Sequence, residues 1–326
     1  MTAGAQEALV KADHVKMYFK GKNKKSGSVK AVDDVSFEIM RGETFGVVGE
    51  SGCGKSTLGK TLIRLLEPTE GQIFLEDREI SKLKGNDLKQ MRKEAQIIFQ
   101  DPSACLNPRR TVKQILMEPF EIHKMKGEID VEARIMELLQ LVGLDAYHLS
   151  RYPHELSGGQ KQRIGIARAL ALNPKLIICD EAVSALDVSV QAQVLNLLQE
   201  LKEKLGLTYF FISHNLNVVY QVSDRVAVMY LGRIVEIADY AQLYEKRYHP
   251  YTEALMAAIP TTDVEEHREL RILEGDIPSP VNPPQGCKFH TRCAHCTEIC
   301  KHAVPEWKEM APGHFVACHH PLGGKE

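Results

Sequence analysis

Nowhere does this chain hold an apolar run approaching the ~20 residues that span a bilayer, so it is not expected to cross a membrane itself. Charge of one sign is missing as well. Its 41 Lys and Arg stand against 43 Asp and Glu, a net charge of −2, which argues against a global field for nucleic acid. The one basic run, Lys20 to Lys30, is interrupted by Gly and Ser and reads as a solvated loop. The amino terminus has no positively charged segment followed by an apolar one, so an intracellular protein is expected, reaching a membrane only through a partner. Internal repeats and low-complexity blocks are also lacking. What remains is a globular composition, 44% hydrophobic and 26% charged over 326 residues, able to bury a full core and to hold more than one domain.

The chain is organised around Phe45 to Thr57. A short apolar run with Phe45, Val47 and Val48 reads as a buried strand, and it breaks into Gly49-Glu50-Ser51-Gly52-Cys53-Gly54-Lys55-Ser56-Thr57. Gly49 to Ser56 fits the phosphate-binding loop, strand before and helix after. Glycines let backbone N–H groups close around phosphate oxygens where a Cβ would clash. The following helix, expected over Leu58 to Leu66, aims its positive end at the same place. Lys55 adds a full charge for the β- and γ-phosphates, and the Ser56 hydroxyl suits Mg²⁺. Cys53, at a helix N-terminus, is expected to have a lowered thiol pKa.

Strands are expected at Leu9–Phe19, Val32–Ile39, Gln72–Glu76, Ala95–Phe99, Leu176–Asp180, Tyr209–Ile212 and Val226–Tyr230. Between them the period turns helical over Thr111–Gly143, Gly158–Leu172, Val190–Leu205 and His214–Val222. Alternating strands and helices predict an α/β fold with a mostly parallel sheet and an inserted helical lobe at about residues 103–172. Beyond Ile259 the pattern decays into prolines, which sets a boundary between residues 1–259 and a C-terminal extension, 260–326.

Three short runs add chemistry. Leu176-Ile177-Ile178-Cys179-Asp180-Glu181 delivers a carboxylate to a strand tip, where Asp180 suits Mg²⁺ and Glu181 suits a general base toward an attacking water. Taken alone, a buried strand ending in an acidic turn is common. Leu156-Ser157-Gly158-Gly159-Gln160 opens a long helix and is either a second anion cradle or an ordinary serine cap. Ser213-His214 ends a strand, where α/β sheets place ligands; a lone histidine there is more often structural.

Together the four runs resemble the nucleotide-binding subunits of ATP-binding-cassette (ABC) transporters over about Leu9 to Ile259. The resemblance implies an ABC-type P-loop ATPase using ATP and Mg²⁺. Gly49–Thr57 would hold the triphosphate, with Glu181 as base and His214 positioning it. Gln100 would touch Mg²⁺ and sense the membrane partner. Ser157 and Gly159, within Ser157–Gln160, would cap the nucleotide of an opposite subunit, and Ser184–Asp187 would cross the seam. Tyr18 would stack on adenine, with Phe19 as the alternative. Ala182 and Asn215 depart from the family's usual Pro and Asp, beside the reacting groups rather than among them. Soluble ABC ATPases of DNA repair or translation generally have coiled-coil insertions or two cassettes, and neither is present.

Tyr152-Pro153-His154-Glu155, Asp101-Pro102 with Leu106-Asn107-Pro108, His249-Pro250-Tyr251-Thr252 and Pro278 through Cys287 narrow the resemblance to ATPase subunits of oligopeptide/dipeptide importers. Importers of nickel and other solutes share these features, so the cargo stays open. Implied partners are a second, related ATPase subunit (or a second copy), two membrane-spanning permease subunits and an extracytoplasmic solute-binding protein. The implied location is the cytoplasmic face of the membrane.

Five of the eight cysteines, Cys287, Cys293, Cys296, Cys300 and Cys318, crowd the extension, whereas Cys105 and Cys179 read as small core residues. The extension is too small and polar to hold itself with a core, and such thiolates argue for a metal site, which contributes on the order of 10 kcal/mol of folding energy. Zinc prefers tight pairs, and only Cys293-x₂-Cys296 offers one; plain reduced thiols are the third reading. The resemblance implies instead a [4Fe–4S] cluster on Cys287, Cys293, Cys300 and Cys318, either as a structural staple or as a redox or iron sensor.

Overall fold

The structure is a computed structural model and describes residues 7–21, 27–125, 127–257 and 275–323. In chain order its strands are β1 (Ala8–Phe19), β2 (Val29–Met40), β3 (Thr44–Val48), β4 (Glu70–Leu75), β5 (Arg78–Glu79) and β6 (Ala95–Ile98). They continue with β7 (Leu176–Asp180), β8 (Thr208–Ile212), β9 (Arg225–Tyr230), β10 (Arg233–Asp239), β11 (Trp307–Ala311) and β12 (His314–Ala317).

They form two sheets. β2-β1-β4-β5 is antiparallel, and β11-β12-β10-β9-β3-β8-β7-β6 is mixed. In the mixed sheet β9, β3, β8, β7 and β6 run parallel, while β10, β12 and β11 are antiparallel to their neighbours. Strands β3, β7 and β8 are buried at every residue, as continuous apolar runs covered on both faces should be. The separate antiparallel sheet was not among the sequence expectations. Its strands show the alternating burial of a sheet packed on one face.

The parallel strands point their carboxyl ends one way. The phosphate loop follows β3, Asp180 ends β7, and Ser213-His214 follows β8, so adjacent strands bring them to one edge. The first helix begins at Lys55, earlier than expected, and stops at Leu62 rather than Leu66, because Arg64 turns left-handed at φ 56°. The lobe contains helices Val112–Ile122 and Val131–Leu141, and helix Gly158–Leu170 packs against both. Ile115, Leu116, Phe120, Ile135, Leu138 and Leu139 bury a 3.6-period stripe in the same core as the parallel strands. Thr111 caps the first of these helices reciprocally with Gln114. Helices at Gly85–Glu94 and Tyr240–Glu245 bury one residue each, Met91 and Leu243, and these and the helix Pro250–Ala257 were not among the sequence expectations.

The cysteine-rich segment is built onto the main sheet. β12 pairs with β10 through Val316 opposite Glu236 and Phe315 opposite Ile237. Phe289 enters the main core, 5.2 Å from the Tyr230 ring and 5.3 Å from that of Tyr251. A segment without apolar mass of its own is held by the neighbour's. The expected boundary near residue 260 lies outside the described residues.

Candidate nucleotide site

The loop from Gly49 to Gly54 demands glycine at both ends. Gly49 (φ 148°) would place a Cβ 2.1 Å from the Met229 carbonyl oxygen, and Gly54 (φ 110°) one 2.0 Å from that of Ala31. Between them the chain curls around Lys55, only 4% exposed, whose Nζ donates to the carbonyls of Gly49 at 2.7 Å and Glu50 at 3.0 Å. An ammonium held by two carbonyls inside a ring of backbone amides is a ready phosphate ligand.

The low-pKa expectation for Cys53 is corrected here. Its thiol points inward beneath Gly49, and burial pushes its pKa up, outweighing the charge of Lys55 at 3.8 Å. The helix N-terminus counts for less than the loss of water around the sulfur. Cys179 is fully buried as expected, whereas Cys105 is only half-buried.

Ser56 Oγ donates to Asp180 Oδ1 at 2.5 Å, and Lys60 Nζ lies 3.1 Å from Asp180 Oδ2. A hydroxyl beside a buried carboxylate at the loop's end is an all-oxygen donor set, which fits Mg²⁺. Glu181, the next residue, sits in the left-handed region at φ 50°, with its N–H donating to the Ile212 carbonyl at 3.0 Å. For a residue with a Cβ this conformation costs roughly 1–2 kcal/mol and persists where surroundings impose it, often at functional sites. Its Oε2 accepts from Gln100 Nε2 at 2.8 Å and lies 3.4 Å from His214 Nδ1. Gln100, Glu181 and His214, from the ends of three strands, thus converge on one oxygen. Ala182 is buried, and Asn215 caps the helix Leu216–Val222 through Asn217 N–H.

Ser157, Gly158, Gly159, Gln160 and Asp187 lie elsewhere. Ser157 Oγ accepts from Gln160 N–H at 3.2 Å, while Gln160 Oε1 accepts from Ser157 N–H at 2.9 Å. Asp187 caps the helix Val188–Leu205 through Val190 N–H at 3.0 Å. The two caps adjoin, since a Cβ at Gly159 would lie 2.6 Å from Val190 Cγ1. Ser157, Gly158 and Asp187 are exposed, and Val188 beside them is 85% exposed. Among the described residues no hydrogen bond or ion pair joins this patch to Gly49–Thr57.

Tyr18 donates its hydroxyl to Asp33, and Lys30 Nζ lies 5.9 Å from its ring centroid. Phe19 is exposed.

Cys287, Cys293, Cys300 and Cys318 line one narrow pocket with His249, His290 and His319, and Cys296 is not among its walls. Cys296 instead bonds toward the Thr297 carbonyl. Among the described residues no group of three His, Cys, Asp or Glu side chains stands in a metal-holding arrangement. The donor set still fits a thiolate-bound group on one observation. His249 Nε2 is buried without a hydrogen-bond partner, and its ring lines the same pocket. Sequence reasoning missed Arg292 and gave Tyr251 only as part of a family motif, whereas both touch Glu50. No local signal marks Arg292, which lies 242 residues from its partner.

A family model described as ABC transporter matches residues 32–184, and one described as oligopeptide/dipeptide transporter, C-terminal region, matches 235–300. The chain is 55% identical to the oligopeptide transport ATP-binding protein AppF of Bacillus subtilis, covering 98% of this chain and 99% of that one. It is 48% identical to the oligopeptide transport ATP-binding protein OppF of Haemophilus influenzae, covering 96% and 97%. Among solved structures, the ATP-binding cassette MJ0796 in a dimeric post-hydrolysis state with ADP and Pi is similar at 30% identity and TM-score 0.63, over 71% of this chain and 99% of that chain. The cbiO1 subunit from Clostridium perfringens, part of a cbiONQ transporter complex, is similar at 26% identity and TM-score 0.64, over 74% and 92%.

Proposed function

This chain belongs to the ABC transporter family, and from that premise we propose how its residues drive the import of short peptides. It is an ATPase, the ATP-hydrolysing subunit of an oligopeptide importer, and its C-terminal region is that of the oligopeptide/dipeptide transporters. The observation that carries the site reading is the convergence of Gln100 and His214 on one carboxylate oxygen of Glu181, beside the Ser56–Asp180 pair.

Lys55 exchanges its two carbonyl partners for phosphate oxygens, and the amides of Glu50 to Thr57 close around the same group. Ser56, Asp180 and Gln100 would hold Mg²⁺, which when bound would neutralise charge on the phosphates. Glu181 takes a proton from the attacking water, with His214 and Gln100 fixing which oxygen faces it. Tyr18 stacks on adenine. Ser157 to Gln160 and Asp187 serve the nucleotide on an opposing subunit; what supports this is that Ser157, Gly158 and Asp187 are exposed and that, among the described residues, no hydrogen bond or ion pair ties them to this chain's own loop. The dimer is a heterodimer with a related ATPase, docked through the Gln100 region and the lobe at about 103–172 on two permease subunits at the cytoplasmic face. A solute-binding protein delivers cargo from outside.

Cys287, Cys293, Cys300 and Cys318 would hold a [4Fe–4S] cluster, with zinc as the alternative, cross-linking a segment that lacks a core. Iron and sulfide in anaerobically purified protein support the cluster; stoichiometric zinc without either refutes it. For the sandwich, the measurement is solution mass with and without a non-hydrolysable ATP analogue and Mg²⁺. A nucleotide-dependent doubling, or pairing with a co-purified relative, is expected. A chain that binds nucleotide and stays alone overturns the dimer.

A further inference from the structure

Two polar ties fasten the cysteine segment to the nucleotide site, and a third comes from the helix Pro250–Ala257, which adjoins the cysteine pocket at His249. Arg292 donates to both carboxylate oxygens of Glu50 in the phosphate loop, at 2.7 and 3.1 Å, and its side chain is 5% exposed. The Glu50 N–H donates to the Tyr251 hydroxyl at 2.9 Å. Lys288 Nζ lies 2.7 Å from Asp33 Oδ2, and Asp33 also accepts from the Tyr18 hydroxyl.

These ties begin at the cysteine pocket. Lys288 follows Cys287, and Arg292 precedes Cys293. Tyr251 stands two residues from His249, whose Nδ1 accepts the Tyr251 N–H at 3.0 Å. That bond places the imidazole proton on Nε2, the buried and unpartnered atom of a ring that lines the pocket. A buried donor without a partner is costly, and an acceptor inside the pocket, such as thiolate sulfur around a bound group, satisfies it.

We infer that Arg292 is a positioning residue through which the cysteine pocket sets the shape of the phosphate loop, so that the pocket's state governs nucleotide affinity. The inference rests on Gly49–Ser56 being the nucleotide loop. A guanidinium bonded in two places fixes the orientation of its carboxylate as well as its distance. Because Arg292 adjoins Cys293, drawing that sulfur toward a shared centre moves the arginine's own backbone. Glu50 lies between Gly49 and Ser51, and its carbonyl holds Lys55, so movement of Glu50 reaches the ammonium directly. Tyr251 holds the Glu50 backbone N–H, while Arg292 holds its carboxylate, so the side chain of Glu50 is set by the cysteine segment.

A double-mutant cycle on the full chain tests this, reading the ATP·Mg dissociation constant by calorimetry in wild type, Arg292→Met, Cys293→Ser and the double variant. Each single change is expected to raise the constant about tenfold, and the double by no more than the larger single effect. In turnover assays the KM for ATP should rise while kcat stays within about twofold, a split that general loss of structure does not produce. Arg292→Lys, which keeps the charge but loses the fork, should recover part of the affinity and replaces Arg292→Met in the cycle if that variant does not fold. Additive effects, an unmoved constant in Cys293→Ser, or a fall in kcat alone overturns the inference. Iron, sulfide and zinc are measured on the same wild-type protein. Absence of all three removes the metal reading, while the cycle still decides the coupling. A dissociation constant unmoved by Lys55→Ala would instead remove the nucleotide-loop reading.

Discussion

Two glycine-containing turns of this molecule, each at the start of a helix, differ in almost everything else. At Gly49–Ser56 the charged group is buried and already gripped, with Lys55 on two carbonyls and Ser56 on Asp180. At Ser157–Gln160 the caps are satisfied only locally, and Ser157 and Gly158 face solvent. The first turn is complete as the chain folds. The second caps its own helix and leaves Ser157, Gly158 and the neighbouring Val188 exposed. On the function proposed above, the contrast is between two unlike halves of a site, one formed within the chain and one that serves a second subunit.

The contrast can be broken at the finished end first. Glu181→Gln, which keeps shape and removes the base, should lower steady-state ATP turnover by about 10²–10⁴-fold with nucleotide binding retained. Unchanged turnover removes Glu181 from its role. Lys55→Ala deletes a charge-assisted contact of about 1.5–3 kcal/mol, so the ATP dissociation constant should rise by roughly one to two orders of magnitude, seen by calorimetry.

At the waiting end the effect should be smaller and of another kind. Ser157→Asn preserves a good helix cap but removes the hydroxyl. Affinity of the isolated subunit for ATP should stay unchanged, while dimerisation in a Glu181→Gln background weakens about fivefold, near 1 kcal/mol. Weakened ATP binding by the lone subunit would mean the turn serves its own chain after all.

The smallest effect concerns the ties around the finished site. Burial raises the pKa of Asp33, but hydrogen bonds from Lys288 and Tyr18 and the charges of Lys288 and Arg233 outweigh it, leaving the carboxyl at about 2 against 3.8. A carboxyl depressed in the folded state contributes stability that is complete above its unfolded pKa and lost as pH falls through the folded one. Between about pH 4 and 2 the stability of wild type should therefore fall more steeply than that of Asp33→Asn, measured by denaturant unfolding at each pH. Parallel slopes would show that the Lys288 tie contributes nothing.

Much of the site could be read in one dimension because its chemistry is local. The loop's glycines, Lys55 and Ser56 are contiguous, and Asp180 and Glu181 share one strand tip. What escaped the sequence is long-range. The inward turn of Cys53 depends on Met229 and Gly49 packing above it, and its burial reverses the expected acidity. Likewise β12 found an edge on β10, and Phe289 a core beside Tyr230 and Tyr251. Each needed surfaces contributed by distant parts of the chain.

By itself the sequence determined the phosphate loop, the parallel strands that carry it and the family to which the chain belongs. Runs of adjacent residues suffice for these, because backbone conformation and hydrophobic period are local properties. Only the tertiary structure decided that Gln100 and His214 meet on one Glu181 oxygen, and that Arg292 reaches back to Glu50. Those contacts join residues far apart in the chain, and packing, not pattern, brings them within hydrogen-bond reach.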